Sequence, residues 1–148
     1  MRCPFCSYEQ TAVLESRVCD DKSSLRRRRE CEKCKKRFTT YEKIEKPSLL
    51  VIKKDGRREA FEKEKIKKGI LKACEKRPVP LEMVDWIVED VEREVLRKDT
   101  VEIPSKIIGN VVLKRLKKVD KVAWLRFASV YLEFSDLSDF EKAIEKLG

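Results

Sequence analysis

From Lys63 onward the apolar residues return every three or four positions, the period of a helix with one buried face. Ile66, Ile70 and Cys74 fall on one stripe; Val84, Ile87, Val88, Val91 and Val95 fall on a second. A third stripe runs through Ile107, Ile108, Val111 and Leu116 behind Pro104, which suits a first helical position because no amide proton is needed there. Asp120 is placed to cap a fourth helix carrying Trp124, Phe127, Ala128 and Tyr131 at i, i+3, i+4 and i+7. Ser138 and Glu141 form a capping-box pattern ahead of Phe140, Ile144 and Leu147, with Gly148 as the stop. This helical region is preceded by LLVIKKDGRREAF, in which Leu49 to Lys54 reads as a strand, Asp55-Gly56 as a tight turn and Arg58 to Phe61 as the returning strand.

The residues before Lys46-Pro47-Ser48 follow no helical period. Cysteines, hydroxyls and charges dominate, aliphatics are few, and short β-like runs cover Thr11 to Val18, Leu25 to Glu30 and Arg37 to Ile44. The pattern predicts an α+β chain: a small three-stranded sheet over residues 1–46, then a mainly helical domain opened by a β-hairpin over 49–139, with a helical tail at 140–148. A sheet of this size has too little apolar side chain for a core of its own, and such segments depend on a metal or on disulfides.

Charge sharpens the contrast. The 148 residues carry a net charge of +9, from 36 Lys and Arg against 27 Asp and Glu. Met1 to Ser48 holds 13 basic and 8 acidic residues, and Arg26 to Arg37 alone holds 8 and 2. A generally charge-rich surface, as in heat-adapted proteins, accounts for abundance but not for clustering. A clustered excess of cations attracts phosphate polyanions, which makes nucleic acid the first partner to consider. No segment has the roughly 18 consecutive apolar residues of a membrane helix, and Cys3 lies too near the start for a signal peptide. A cytoplasmic protein without a membrane partner is expected.

In a reducing compartment two C-x-x-C pairs point to metal rather than to disulfides. Cys3 and Cys6 are separated from Cys31 and Cys34 by 24 residues, a spacing that suits two knuckles closing on one tetrahedral zinc ion. Four protein thiolates leave the ion no open position, so the metal organises the fold and performs no catalysis. A thioredoxin-like redox motif needs one pair on a βαβ scaffold, for which this segment is too small. Cys19 lies outside both pairs and Cys74 lies on a helix stripe; both read as structural. In a strand, Arg26, Arg27, Arg28 and Arg29 alternate between the two faces, so two guanidinium groups stand on each side, able to contact phosphates or guanine edges. Phe38, Thr39, Thr40 and Tyr41 add hydroxyls and aromatic surface. With no histidine, no open metal position and no nucleophile–base pair, an enzyme is not expected.

MRCPFC, ESR, SSLRRRRECEKCKKRFTTYEK and LLVIKKDGRREAF, in this order and spacing, resemble the NrdR-type transcriptional repressors, bacterial regulators of ribonucleotide reductase genes. The resemblance runs from Met1 to about Glu133. It implies a zinc ribbon that binds double-stranded operator DNA, joined to an ATP-cone that senses ATP against dATP, in a homo-oligomer. The family's zinc ligands fall on Cys3, Cys6, Cys31 and Cys34, and its DNA-binding arginines on Arg26, Arg27, Arg28 and Arg29, with Arg17 and Arg37 nearby. Its nucleotide-binding positions fall on Val51, Lys53, Lys54, Glu59, Lys65 and Ile66, and in the later helices on Thr100 and Tyr131. Without the resemblance these residues announce no nucleotide site, because there is no G-x-x-x-x-G-K and the hairpin looks like any polar hairpin. Ser7 and Lys35 depart from the family, which commonly has Gly where each knuckle needs a positive φ. Glu62 replaces a better helix cap. The rival expectation is an interaction module that docks on ribonucleotide reductase itself without specific DNA binding.

Overall fold

The computed structural model describes all residues, Met1 to Gly148, as two compact units, Met1–Lys46 and Pro47–Gly148. In the first unit three antiparallel strands, β1 (Thr11–Val18), β2 (Ser24–Cys31) and β3 (Arg37–Lys43), lie in the order β1-β2-β3. The β1–β2 turn is tied by Asp21, whose carboxylate accepts from the Ser23 amide, and Lys22 takes φ 55° there. A bulge at Leu14 shifts the register, so that Val13 faces Arg29 while Glu15 faces Arg28. The only buried side chains in this unit are Cys3, Ser24 and Cys31. No aliphatic core forms, and apart from Ser24 the burial that exists is burial of cysteine.

The second unit opens with the hairpin β4 (Leu50–Ile52) and β5 (Arg58–Ala60), turned at Gly56, whose φ of +84° suits a residue without Cβ. Five helices follow: α1 (Lys63–Ala73), α2 (Leu81–Leu96), α3 (Ser105–Val119), α4 (Lys121–Tyr131) and α5 (Leu137–Leu147). The apolar stripes read from the sequence meet in one core. Ile70, Val84, Ile87, Val91, Val95, Val112, Leu116 and Ala128 are buried, although Ile107 and Ile144 point outward.

Three features differ from the sequence expectation. A strand β6 (Glu102–Pro104) pairs parallel to β4, completing a sheet in the order β5-β4-β6. It is three residues long and has no alternation to read. Pro104 therefore ends a strand and caps α3 from outside, with φ −61° and ψ 138°, and Ser105 is the first helical residue. The capping box of α5 is built by Asp136 and Asp139 rather than by Ser138 and Glu141, so the helix starts at Leu137. The carboxylate of Asp136 reaches the amides of Ser138 and Asp139, leaving Ser138 inside the first turn. Asp120 caps α4 as the pattern predicts, accepting from the Ala123 amide at 2.8 Å. Residues 140–148 are most of α5, and Ala143 joins the core.

Candidate functional site

The four knuckle cysteines converge. Their sulfurs all lie within 4.8 Å of one another, with Cys3–Cys34 and Cys6–Cys31 each at 3.6 Å. Zinc–sulfur bonds of about 2.3 Å put tetrahedral sulfurs roughly 3.8 Å apart, so the residues present fit a zinc ion. Each C-x-x-C closes the same way. The Ser7 amide donates to the Cys3 carbonyl at 2.9 Å and the Lys35 amide to the Cys31 carbonyl at 3.0 Å. Cys3 N–H reaches Tyr8 O at 2.8 Å, and Cys31 N–H reaches Lys36 O at 3.0 Å. Ser7 and Lys35 both take φ 60°, the left-handed conformation that glycine adopts at least cost. Burial raises the Cys31 thiol, but the amides of Cys34 and Lys33 and the Cys6 side chain outweigh it and bring it to about 6. The Lys36 amide lowers Cys34, yet burial and the three other thiols raise it to about 11. Zinc binds thiolates, so loading a four-cysteine site is linked to proton release.

Strand β2 leaves this centre through its arginines, and the register sorts them. Arg26 and Arg28 share a face with Arg17, Glu15, Glu30, Arg37, Thr39 and Tyr41; Arg27 and Arg29 share the other with Ser16, Thr40, Phe38 and Glu42. Of the six arginines expected to meet DNA, four therefore stand together and two stand behind. Contacts within the sheet occur on both faces: behind, Arg29 donates to Thr40 Oγ1 at 3.0 Å and Arg27 lies 3.3 Å from Glu42, and in front Arg28 donates to Thr39 Oγ1 at 2.9 Å. On the first face Arg17 is directly opposite Arg26, with exposed Tyr41 on its other side. Like charges opposed across a strand pair destabilise it unless an anion joins them. Arg17 and Arg37 reach only the neighbouring Glu15 and Glu30.

In the second unit a cavity of about 340 Å³ opens between the hairpin and helices α1, α3 and α4. Its size suits a small ligand, and its walls are mainly apolar. Val51, Lys53, Glu59, Lys65, Ile66 and Tyr131 line it. Lys54 and Thr100 do not: Lys54 lies 2.9 Å from Glu133, and the Thr100 hydroxyl donates to the Glu102 carbonyl at 2.8 Å. At the rim one carboxylate gathers the cations, with Glu59 at 3.1 Å from Lys65, 3.7 Å from Lys53 and 3.9 Å from Arg57. The hydrogen bond and charge of Lys65 hold the Glu59 carboxyl below its usual range, and Glu59 raises Lys65 in return.

Sequence reasoning missed Ser105, Gly109, Arg126 and Phe127, which also line the cavity. Gly109 had a visible signal, since it interrupts an apolar helical run in a chain with four glycines. A Cβ there would lie 1.9 Å from the Tyr131 ring, so only glycine lets that ring lie flat on α3. The Gly109 amide donates to the Tyr131 hydroxyl at 3.3 Å, Phe127 stacks on the ring at 5.5 Å, and burial raises the phenol above its ordinary pKa.

Two family descriptions match the chain: "Transcriptional repressor NrdR-like, N-terminal domain" over residues 1–42 and "ATP cone domain" over residues 49–137. The chain is 51% identical over 147 residues to a protein of Caldanaerobacter subterraneus named "Transcriptional repressor NrdR", covering 99% of this chain and 93% of that one. Proteins of the same name from Brevibacillus brevis and Clostridium perfringens are 52% and 51% identical over 147 residues; each match covers 99% of this chain, and 92% and 99% of those proteins respectively.

Proposed function

The chain belongs to the NrdR-like transcriptional repressors, and on that premise we propose that it is a zinc-dependent repressor whose grip on operator DNA is set by the nucleotide in its ATP-cone. The observation that carries the DNA half is the opposed pair Arg17–Arg26 beside Arg28, Arg37 and Tyr41 on one sheet face. Repulsion within that face is relieved when phosphates or guanine edges meet it, and Arg26 and Arg28 are the side chains we assign to the duplex. Zinc, when bound, supplies a closed four-thiolate cross-link that fixes the strand carrying them. Arg27 and Arg29 support the sheet through Glu42, Thr40 and Thr11.

The nucleotide half rests on the apolar cavity with Lys53 and Lys65 at its rim. A triphosphate neutralises those lysines, and the base lies against Val51, Ile66 and Phe127. A single ribbon face is too small a footprint for tight specific binding. Repeated half-sites bound by a homo-oligomer supply the rest, and nucleotide exchange alters how cones pair. Exposed Trp86, Val130 and Leu137 offer apolar surface for such pairing. The genes controlled are those for ribonucleotide reductase, which makes the sensed dATP part of a feedback loop.

The test is binding of the zinc-loaded protein to a duplex from upstream of a ribonucleotide reductase gene and to a scrambled duplex, with ATP, dATP or neither. A sequence preference that changes with nucleotide and vanishes in Arg26→Gln/Arg28→Gln, while Arg27→Gln/Arg29→Gln retains it, is expected. Equal, nucleotide-blind binding to both duplexes overturns the proposal and turns attention to a protein partner.

A further inference from the structure

Helix α3 carries charge of one sign only. At 100° per residue, Ser105, Ile108, Gly109 and Val112 face the cavity, while Lys106, Asn110, Lys114 and Lys118 fall on the opposite, exposed arc. The helix contains no Asp or Glu. Elsewhere in this unit some cations are matched by carboxylates, Lys63 by Glu92 at 3.7 Å, Lys67 by Asp85 at 2.7 Å and Arg93 by Asp90 at 3.5 Å, while exposed lysines without an ion pair, such as Lys68, Lys98 and Lys142, are scattered over α1, the turn after α2 and α5 rather than aligned on one face. On α3 itself Arg115 turns inward to Asp90 and Glu94, and Lys117 donates to the Lys146 carbonyl at 3.0 Å. Lys106, Lys114 and Lys118 have no such carboxylate.

Helix stability does not explain the pattern. Lysines in the last turn complement the helix dipole, which accounts for Lys118, but Lys106 sits in the first turn, where a cation opposes the dipole. A mixed, solvated face would alternate its signs. The three ammonium groups instead span about 18 Å along the axis at 1.5 Å per residue, long enough to meet several phosphates of a duplex.

We propose that the outward face of α3 is a second duplex-DNA contact, in which Lys106, Lys114 and Lys118 sit on the phosphate backbone and add affinity without sequence preference. The proposal rests on the reading of the chain as a DNA-binding repressor. It assigns the sequence-blind share of binding to the cone and the sequence-reading share to Arg26 and Arg28.

The experiment uses the full-length, zinc-loaded protein and two duplexes, one selected by the protein from random sequence and one scrambled, titrated across a salt series. For Lys106→Gln/Lys114→Gln/Lys118→Gln, loss of three phosphate contacts flattens the log–log salt slope by about 2.7 on both duplexes. The loss of affinity between 50 and 200 mM salt then shrinks about 40-fold. Preference for the selected duplex is unchanged, the Arg versions of all three keep the wild-type slope, and circular dichroism and nucleotide binding stay as in the wild type. Removing three exposed lysines elsewhere, with Lys68→Gln/Lys98→Gln/Lys142→Gln, leaves the slope alone. A wild-type slope in the α3 variant, or an equal flattening in the control variant, overturns the inference while the repressor reading stands. Failure of the wild type to bind either duplex overturns that reading itself.

Discussion

The ribbon and the cone reach a fixed shape by opposite means. In the ribbon only Cys3, Ser24 and Cys31 are buried, and strands rich in like charge are kept in register by two knuckles. In the cone a continuous core from Leu49 to Ala143 fixes the helices, and the cavity is a gap left in that core. Burying apolar surface contributes about 25 cal/mol per Å², which the cone has in quantity and the ribbon lacks. A surface that must present arginines on both faces of a thin sheet cannot also supply a core. Metal ligation separates the two demands.

The largest test of this contrast is removal of the metal. Chelation, or Cys34→Ser, should unfold the ribbon, because a structural zinc site carries about 10 kcal/mol or more of folding free energy. The helical dichroism and thermal midpoint of the cone should persist. Joint unfolding would show that the units are not independent.

A smaller effect is expected inside the cone. Gly109→Ala drives a Cβ into the Tyr131 ring, an overpacking cost of about 1–3 kcal/mol that outweighs the roughly 1 kcal/mol gain in helix propensity. Gly69→Ala meets Phe127 at an ordinary 3.4 Å and should be neutral or stabilising. Urea unfolding of both variants checks the difference, and nucleotide titration should show weakened binding for the first alone.

Asp120 gives a pH-dependent test. It receives two guanidinium nitrogens of Arg77, at 3.0 and 2.9 Å, while capping α4, and Arg77 holds its carboxyl below the usual range. A depressed folded pKa stabilises at pH values above the unfolded value of about 3.9, and the contribution is lost as pH falls through the folded one. Asp120→Asn keeps an oxygen for the cap, so a loss of about 1–2 kcal/mol at neutral pH is expected. The gap to the wild type should close under acid, which denaturant midpoints across pH would show. A constant gap would mean that the charge of Asp120 is irrelevant.

The smallest effect returns to the ribbon. Ser7→Gly and Lys35→Gly each relieve a left-handed residue worth about 1 kcal/mol, partly offset by the greater freedom of glycine in the unfolded chain. Tighter zinc retention in chelator competition is the expected readout, with the melting of the cone unmoved.

The sequence by itself determined what depends on spacing along the chain. Cys3, Cys6, Cys31 and Cys34 announced a metal site because knuckle geometry is local, and the valines of α2 announced a buried face because helical periodicity is local. The cap at Asp120 was legible for the same reason, whereas the positive φ at Ser7 and Lys35 was expected from the family resemblance. Tertiary structure decided what depends on residues distant in sequence. The register that opposes Arg17 to Arg26, the parallel pairing of β6 with β4, and the seating of Tyr131 over Gly109 each join segments that carry no mark of one another. The cavity is of this kind as well: Ser105 and Phe127 line it and Thr100 does not, because the packing of α3 and α4 against the hairpin chooses which side chains face inward.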